Sequence, residues 1–250
     1  MRKPKLLISV WYPDEVLPAL RGGADIIDVK NPSRGSLGAP SFKVVKEIVE
    51  RFRGIRELSA AVGDITCCPE TTALAAYALS KLGLNYVKIG LQVDNERDGL
   101  EIVREVVETV GSLSKVIVVG YADYERAKAL PPLKVVEVAY RGDAHGVMID
   151  TRIKDGLTSL DILPMSYIRE FVGKAKETNL LKAFAGGLRK EHLVKILNLG
   201  FDVIGFRTAA CENGRLGKVS ERKVRELKQV IERFQSCSPG SGSLGLFKVF

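Results

Sequence analysis

The stretch GADIIDVK, from Gly23 to Lys30, recurs in outline as GLNYVKIG from Gly83 to Gly90 and as GFDVIGFR from Gly200 to Arg207. Each copy starts on glycine, passes any residue to an Asp or Asn, and enters a short apolar run. This is the pattern of a helix C-cap glycine followed by a tight turn into a strand. Superposed on their glycines, the three copies place Asp28, Lys88 and Gly205 at one position, and Lys30, Gly90 and Arg207 two residues further on. Residues two apart on a strand face the same side, so Asp28, Lys30, Lys88 and Arg207 are expected to share one facing.

Eight short apolar runs bounded by Gly, Asp or Pro punctuate the chain: LLISV, DIIDVK, LSAAVGD, YVKIGL, VIVVGYAD, GVMIDT, LKAFAGG and VIGFRT. Between most of them lie segments with apolar residues three to four apart, among them FKVVKEIVERF, ERDGLEIVREVVETV, YIREFVGKAKE and KEHLVKILNLG. Strands alternating with helices imply parallel pairing, and eight such units point to an α/β fold, a single (β/α)8 TIM barrel. An open doubly wound sheet is the alternative. It calls for a glycine fingerprint after the first strand, where this chain has VWYPDE. The barrel is expected to fill residues 1–237 as one catalytic domain, with a flexible Ser/Gly/Pro-rich tail over residues 238–250. Phe247 and Phe250 in that tail are candidates to dock on a neighbouring subunit of a homo-oligomer.

Composition narrows the class of protein. Of 250 residues, 46% are hydrophobic and 27% charged, as in an ordinary globular chain. No apolar run approaches the roughly 18 residues a membrane span needs, and the basic start is closed by Pro13, Asp14 and Glu15, unlike a signal peptide. A cytoplasmic protein without membrane contact is expected. The net charge of +8 raises a nucleic-acid-binding barrel without catalysis as one alternative. Against it, Lys and Arg alternate with acids along segments such as SERKVRELKQVIERF, as on a solvated helix face, and an excess of positive charge also suits a phosphorylated substrate. Cys67, Cys68, Cys211 and Cys237 contain no C-x-x-C pair, and His145 and His192 supply no zinc spacing. The vicinal Cys67 and Cys68 read as a redox pair or, more simply, as two small residues entering a helix.

Charged groups on the helix-covered outside of a barrel would be buried in apolar packing at considerable cost, so the shared facing of Asp28, Lys30, Lys88 and Arg207 belongs to the interior at the C-terminal mouth. These residues lie on the second, fourth and eighth strands, and alternate strands feed the same interior layer. The sixth strand ends on Asp150, with Lys154 four residues on. A lone lysine at a strand end is commonly a snorkelling side chain, and Asp28 with Lys30 reads equally as a salt bridge closing a layer. Several cations converging on one mouth favour chemistry. A lysine beside other cations loses its proton more easily, and a neutral amine attacks a carbonyl to form a Schiff base. Lys30 and Lys88 are the candidate pair, with Asp28 or Asp150 to hold an ammonium or move protons. Gly186 and Gly187 stand between the seventh strand and the next helix, where amides and a helix N-terminus suit an anion, and Arg207 follows the eighth strand. Ser36 and Gly38 in SRGSLG form a second candidate phosphate cradle. The residues thus describe a Schiff-base enzyme for a phosphorylated carbonyl compound.

The motifs GGADIIDVKNPSRGSLGA, AAVGD, YVKIGL, GYAD, IDTRIKDG, AGGLRKEH and FDVIGFRTAAC resemble, in order and spacing, those of the (5-formylfuran-3-yl)methyl phosphate synthase family. The likeness runs from about Leu6 to Cys237. It implies a (β/α)8 barrel that condenses two molecules of glyceraldehyde 3-phosphate to a phosphorylated furan aldehyde, with loss of phosphate and water, in methanofuran biosynthesis. It places the family's Schiff-base lysine on Lys30, its proton-accepting lysine on Lys88, and the acid and lysine of a further motif on Asp150 and Lys154. It implies neither metal nor organic cofactor. Thr208 departs from the pattern, since the family motif continues with Gly after the arginine; its hydroxyl joins the expected phosphate contacts. A Schiff-base aldolase for another sugar phosphate remains the alternative enzyme.

Overall fold

The computed structural model describes residues 3–236; Cys237 and the tail over residues 238–250 lie outside them. Eight parallel strands close into a barrel in chain order: β1 (Lys5–Val10), β2 (Ile26–Val29), β3 (Glu57–Ile65), β4 (Tyr86–Leu91), β5 (Lys115–Tyr121), β6 (Gly146–Asp150), β7 (Leu181–Phe184) and β8 (Val203–Phe206). All eight runs expected from the sequence are strands. Around them lie α1 (Val16–Arg21), α2 (Phe42–Phe52), α3 (Pro69–Ser80), α4 (Glu96–Val110), α5 (Tyr124–Ala127), α6 (Pro132–Arg141), α7 (Ser159–Ile162), α8 (Met165–Glu177), α9 (Leu193–Ile196) and α10 (Glu221–Ser236). No helix among the described residues is long and apolar enough to cross a membrane.

The helices that the period identified are amphipathic. α2 turns Val45, Ile48, Val49 and Phe52 inward, and α4 turns Ile102, Val103, Val106 and Val110 inward. These stripes meet the outward residues of the strands, such as Leu6, Ile8, Val10, Ile27 and Val29, in the main core. Burial of apolar area on this scale is the chief stabilising term of the fold. The KEHLVKILNLG segment differs from expectation. It forms a short 3-10 turn over Lys190–His192 and the single turn α9.

The repeat at Gly23, Gly83 and Gly200 has a fourth member. Asp143, at φ 54, takes the place of the turn glycine, and Ala144–Asp150 then runs in step with Ala24–Lys30. The third residue of each copy closes the barrel in the same way. The backbone N–H groups of Asp25, Asn85, His145 and Asp202 donate to the carbonyls of Leu6, Leu58, Val116 and Lys182 on the preceding strands. In return their side chains accept the N–H of those same four residues, at 2.8, 2.8, 3.2 and 2.9 Å. Any acceptor side chain of suitable length serves, so His145, accepting through Nδ1, replaces a carboxylate. Burial holds its imidazole below the ordinary value, which favours the neutral form this bond requires.

The even strands therefore place Asp28, Lys88, Met148 and Gly205 at one interior level, and Lys30, Gly90, Asp150 and Arg207 at the mouth above it. Gly90 is glycine because its neighbours leave no room. A Cβ there would stand 2.1 Å from Tyr121 Oη, 2.9 Å from Leu37 Cδ1 and 3.0 Å from Asp64 Oδ1. Gly90→Ala is expected to cost about 2–4 kcal/mol by overpacking and by displacing the buried tyrosine hydroxyl. Thermal unfolding checks this; a variant as stable as the parent would mean that the Tyr121 ring moves aside freely.

Candidate active site

Asp28 and Lys88 meet inside the barrel. Lys88 Nζ donates to Asp28 Oδ2 at 2.7 Å, and Ser9 Oγ donates to the same oxygen at 3.0 Å. Asp28 is fully buried and Lys88 is 2% exposed. Burial by itself would raise the Asp28 carboxyl, but the charges of Lys88 and Lys30 outweigh it and hold the acid ionised below its usual value. Asp28 thus pairs with Lys88, and the salt bridge to Lys30 that adjacency on the strand allowed does not form.

Lys30 is held more loosely. Its backbone N–H continues the ladder to Val10, while its ammonium stands 3.7 Å from Asp150 Oδ2, beyond hydrogen-bond length. Burial pushes the amine down to about 8; Asp150 opposes this, and Lys88 and Lys154 add to it. Asp150 in turn receives Lys154 Nζ at 2.7 Å and its neighbour Thr151 N at 2.8 Å, both on Oδ1. Burial alone would raise this carboxyl, but Lys154 and Lys30 hold it well below the usual carboxylate range. Asp150 is therefore a permanent anion that orients two cations.

The structure brings the mouth residues Lys30, Asp150, Lys154, Gly186, Gly187, Arg207 and Thr208 around one cleft. Both glycines take positive φ, 98° and 64°, and a Cβ on Gly186 would meet Ser159 Oγ at 2.0 Å. Their amides and that of Leu188 donate to no other part of the chain among the described residues. The helix N-terminus expected directly behind them is absent: the 3-10 turn Lys190–His192 follows instead, and the single turn α9 comes after it.

Two expected phosphate contacts are already occupied. Arg207 is 7% exposed, and its guanidinium forks onto Glu15 at 2.8 and 3.1 Å. Its remaining N–H groups reach the carbonyls of Ser9, Arg215 and Gly217. All five donors are used, so Arg207 ties the β8 loop to β1 and the Glu15 turn. Ser36 is the second case, through its backbone: the amides of Ser36 and Leu37 donate to Asp64 Oδ2 and Oδ1 at 3.0 and 3.2 Å, while the buried Ser36 hydroxyl has no partner among the described residues. A carboxylate already fills that cradle and would repel a phosphate. Gly38 closes the same loop, its carbonyl accepting from Asn31 N at 2.8 Å, with no room for a Cβ beside Asn31 O.

Asp64 and Arg215 are residues of the mouth that sequence reasoning missed. A bulge between Ala61 and Gly63 breaks the period of two and turns Asp64 inward, where Tyr121 Oη donates to it at 2.5 Å and Arg152 Nε stands at 3.7 Å. Arg215 lies in the loop before α10 and donates to the carbonyls of Pro32 and Gly35. The signal for Asp64 was the Val62-Gly63-Asp64 sequence, a glycine inside a strand pattern. Cys67 and Cys68 lie at the entry to α3, Cys68 at φ 63 just before Pro69. No group of three or more His, Cys, Asp or Glu suited to a metal ion occurs among the described residues.

Comparison with known proteins adds the decisive observation. Residues 6–228 match the model of the 4-HFC-P synthase family. The chain belongs to the 4-HFC-P synthase family. Within it, a (5-formylfuran-3-yl)methyl phosphate synthase of Methanopyrus kandleri is 40% identical over 235 residues, covering 92% of this chain and 99% of that protein. Its counterpart in Methanothermobacter thermautotrophicus is 39% identical, with coverage of 92% and 99%. Among solved structures, phosphoribosyl anthranilate isomerase of Thermus thermophilus superposes with a TM-score of 0.59 at 16% identity, covering 94% of this chain and all of that one. KGPDC of Streptococcus mutans superposes at 0.60 and 12% identity, with coverage of 92% and 98%. These likenesses carry the barrel fold alone. Members of the 4-HFC-P synthase family match this chain over nearly their whole length, and the cleft around Lys30 is where this member gathers its charged groups.

Proposed function

We propose that the protein makes (5-formylfuran-3-yl)methyl phosphate from two molecules of glyceraldehyde 3-phosphate through a Schiff base on Lys30. The observation that carries this reading is the buried Lys30 amine, 3.7 Å from Asp150 with no hydrogen-bonded anion and pushed down to about 8 by burial, in a chain of this family. Roughly a tenth of such an amine is neutral at pH 7, about 300-fold more than for lysine at its ordinary value of 10.5. The neutral nitrogen attacks an aldehyde carbon, water leaves, and the resulting iminium keeps the positive charge that Asp150 already faces. Proton removal next to the iminium gives an enamine whose carbon joins the second aldehyde. Lys88, reaching the interior below Lys30, is the proposed proton acceptor in its neutral form, so the ammonium of the resting pair gives up a proton before the step, and Asp28 then holds the ammonium that proton removal regenerates. Lys154, anchored on Asp150, is suited to assist dehydration and departure of phosphate, and the Gly186–Gly187 loop with Thr208 offers donors to a phosphate at the rim.

Incubation with glyceraldehyde 3-phosphate and borohydride, followed by peptide mapping, tests the reading. The expected result is a reduced adduct on Lys30 together with a furan absorbance in untreated reactions. An adduct elsewhere would sink the assignment, and reversible cleavage products without furan absorbance would favour an aldolase for another sugar phosphate. Because the reactive form is the free amine, kcat/KM should rise with pH through about 8 and level off above it.

A further inference from the structure

We propose that Arg215 is the arginine that takes a substrate phosphate, and that through it the phosphate positions the loop carrying Lys30. The inference rests on the triose phosphate reading of the cleft. Donor use separates the two arginines of this region. A guanidinium has five N–H groups; Arg207 engages all five inside the protein, whereas Arg215 engages two, on Pro32 O and Gly35 O. The three others meet no acceptor among the described residues. Arg215 is also partly exposed and lines the same cleft as Lys30, Lys154, Gly187 and Thr208, whereas Arg207, though it lines that cleft too, is buried.

The placement of Arg215 gives it a second role. Arg207 Nε donates to the Arg215 carbonyl at 2.9 Å, so the Glu15–Arg207 pair fixes the backbone from which the partly engaged Arg215 guanidinium projects. The two carbonyls Arg215 does hold belong to the turn directly after Lys30, and the far end of that turn is pinned by Asp64. A phosphate on the remaining N–H groups, beside the Lys154 ammonium, would draw the β8 loop and the Lys30 loop together over the bound aldehyde. Recognition of a dianion by a planar fork also explains why an arginine and not a lysine stands here.

The test compares wild type with Arg215→Gln and Arg215→Lys, using glyceraldehyde 3-phosphate, unphosphorylated glyceraldehyde and inorganic phosphate as probes. For Arg215→Gln the expected results are a 10- to 100-fold rise in KM for glyceraldehyde 3-phosphate, a comparable loss in affinity for inorganic phosphate by calorimetry, and a loss in borohydride trapping at least tenfold smaller with glyceraldehyde than with glyceraldehyde 3-phosphate. Arg215→Lys should fall between, keeping charge without the fork, and it also serves if the glutamine variant folds poorly. Equal slowing of trapping with both aldehydes, or unchanged affinity for inorganic phosphate, overturns the proposal. If Lys30 is not the reacting amine, neither aldehyde traps there, yet phosphate calorimetry still separates the variants, so the two readings fail independently.

Discussion

Lys30→Met is expected to abolish the borohydride adduct and lower kcat/KM by about ten-thousand-fold or more, while raising the melting temperature. The gain in stability comes from the same burial that activates the amine. The folded chain holds the Lys30 amine near 8, against 10.5 for an exposed lysine, so between those pH values the unfolded chain binds more protons than the folded one. Stability therefore increases as pH rises through that window, and below about pH 8 the full cost of the buried ammonium is present. Removing the amine removes that cost, on the order of 1–3 kcal/mol at pH 7, partly offset by the loss of Asp150's weaker partner. Asp150 keeps Lys154 at 2.7 Å, so no orphaned carboxylate results. Calorimetric scans at pH 7 and pH 10 check both halves: the variant should melt several degrees higher at pH 7, and the advantage should shrink toward pH 10. A variant less stable than wild type at pH 7 would show that Lys30 contributes to the fold as a counterion.

Asp28→Leu is expected to be severely destabilising, by about 3–5 kcal/mol, because it strands the Lys88 ammonium inside the barrel. Asp28 accepts from both Lys88 and Ser9, and neither the lysine nor the carboxylate has appreciable contact with solvent. The double variant Asp28→Leu with Lys88→Met replaces two buried charges by apolar groups and should recover most of the loss, with no recovery of activity. Urea unfolding of the four proteins in the cycle gives the coupling. If the double variant unfolds as early as Asp28→Leu, the pair is not the unit that the geometry describes.

The parts of the site that were legible share one property: they lie on regular strands. Asp28, Lys30, Lys88 and Asp150 follow the period of two, and a period of two fixes facing without knowledge of what stands opposite. Asp64 escaped because a single bulged residue at Val62 reverses the facing of every later residue in the strand. The fourth copy of the repeat escaped because Asp143 adopts the conformation usually left to glycine, and a histidine does the work of a carboxylate. Arg207 stands at the mouth as expected, with its five donors engaged inside the protein. Charge and position mark it as a phosphate ligand, yet Glu15, 192 residues away in sequence, fills its fork.

The amino-acid sequence by itself determined the barrel, the order of its strands and the inward facing of two lysines and two carboxylates. Each of these is set by local backbone geometry and by the cost of burying a charge against helices. Tertiary structure alone decided which charge pairs with which: Lys88 with Asp28, Lys154 with Asp150, Arg207 with Glu15, leaving Lys30 the least restrained amine and Arg215 the fork with open donors. Pairing depends on separations of a few ångströms between long side chains from distant segments. Electrostatic and hydrogen-bond energies change steeply over such distances, and no periodicity in the chain encodes them.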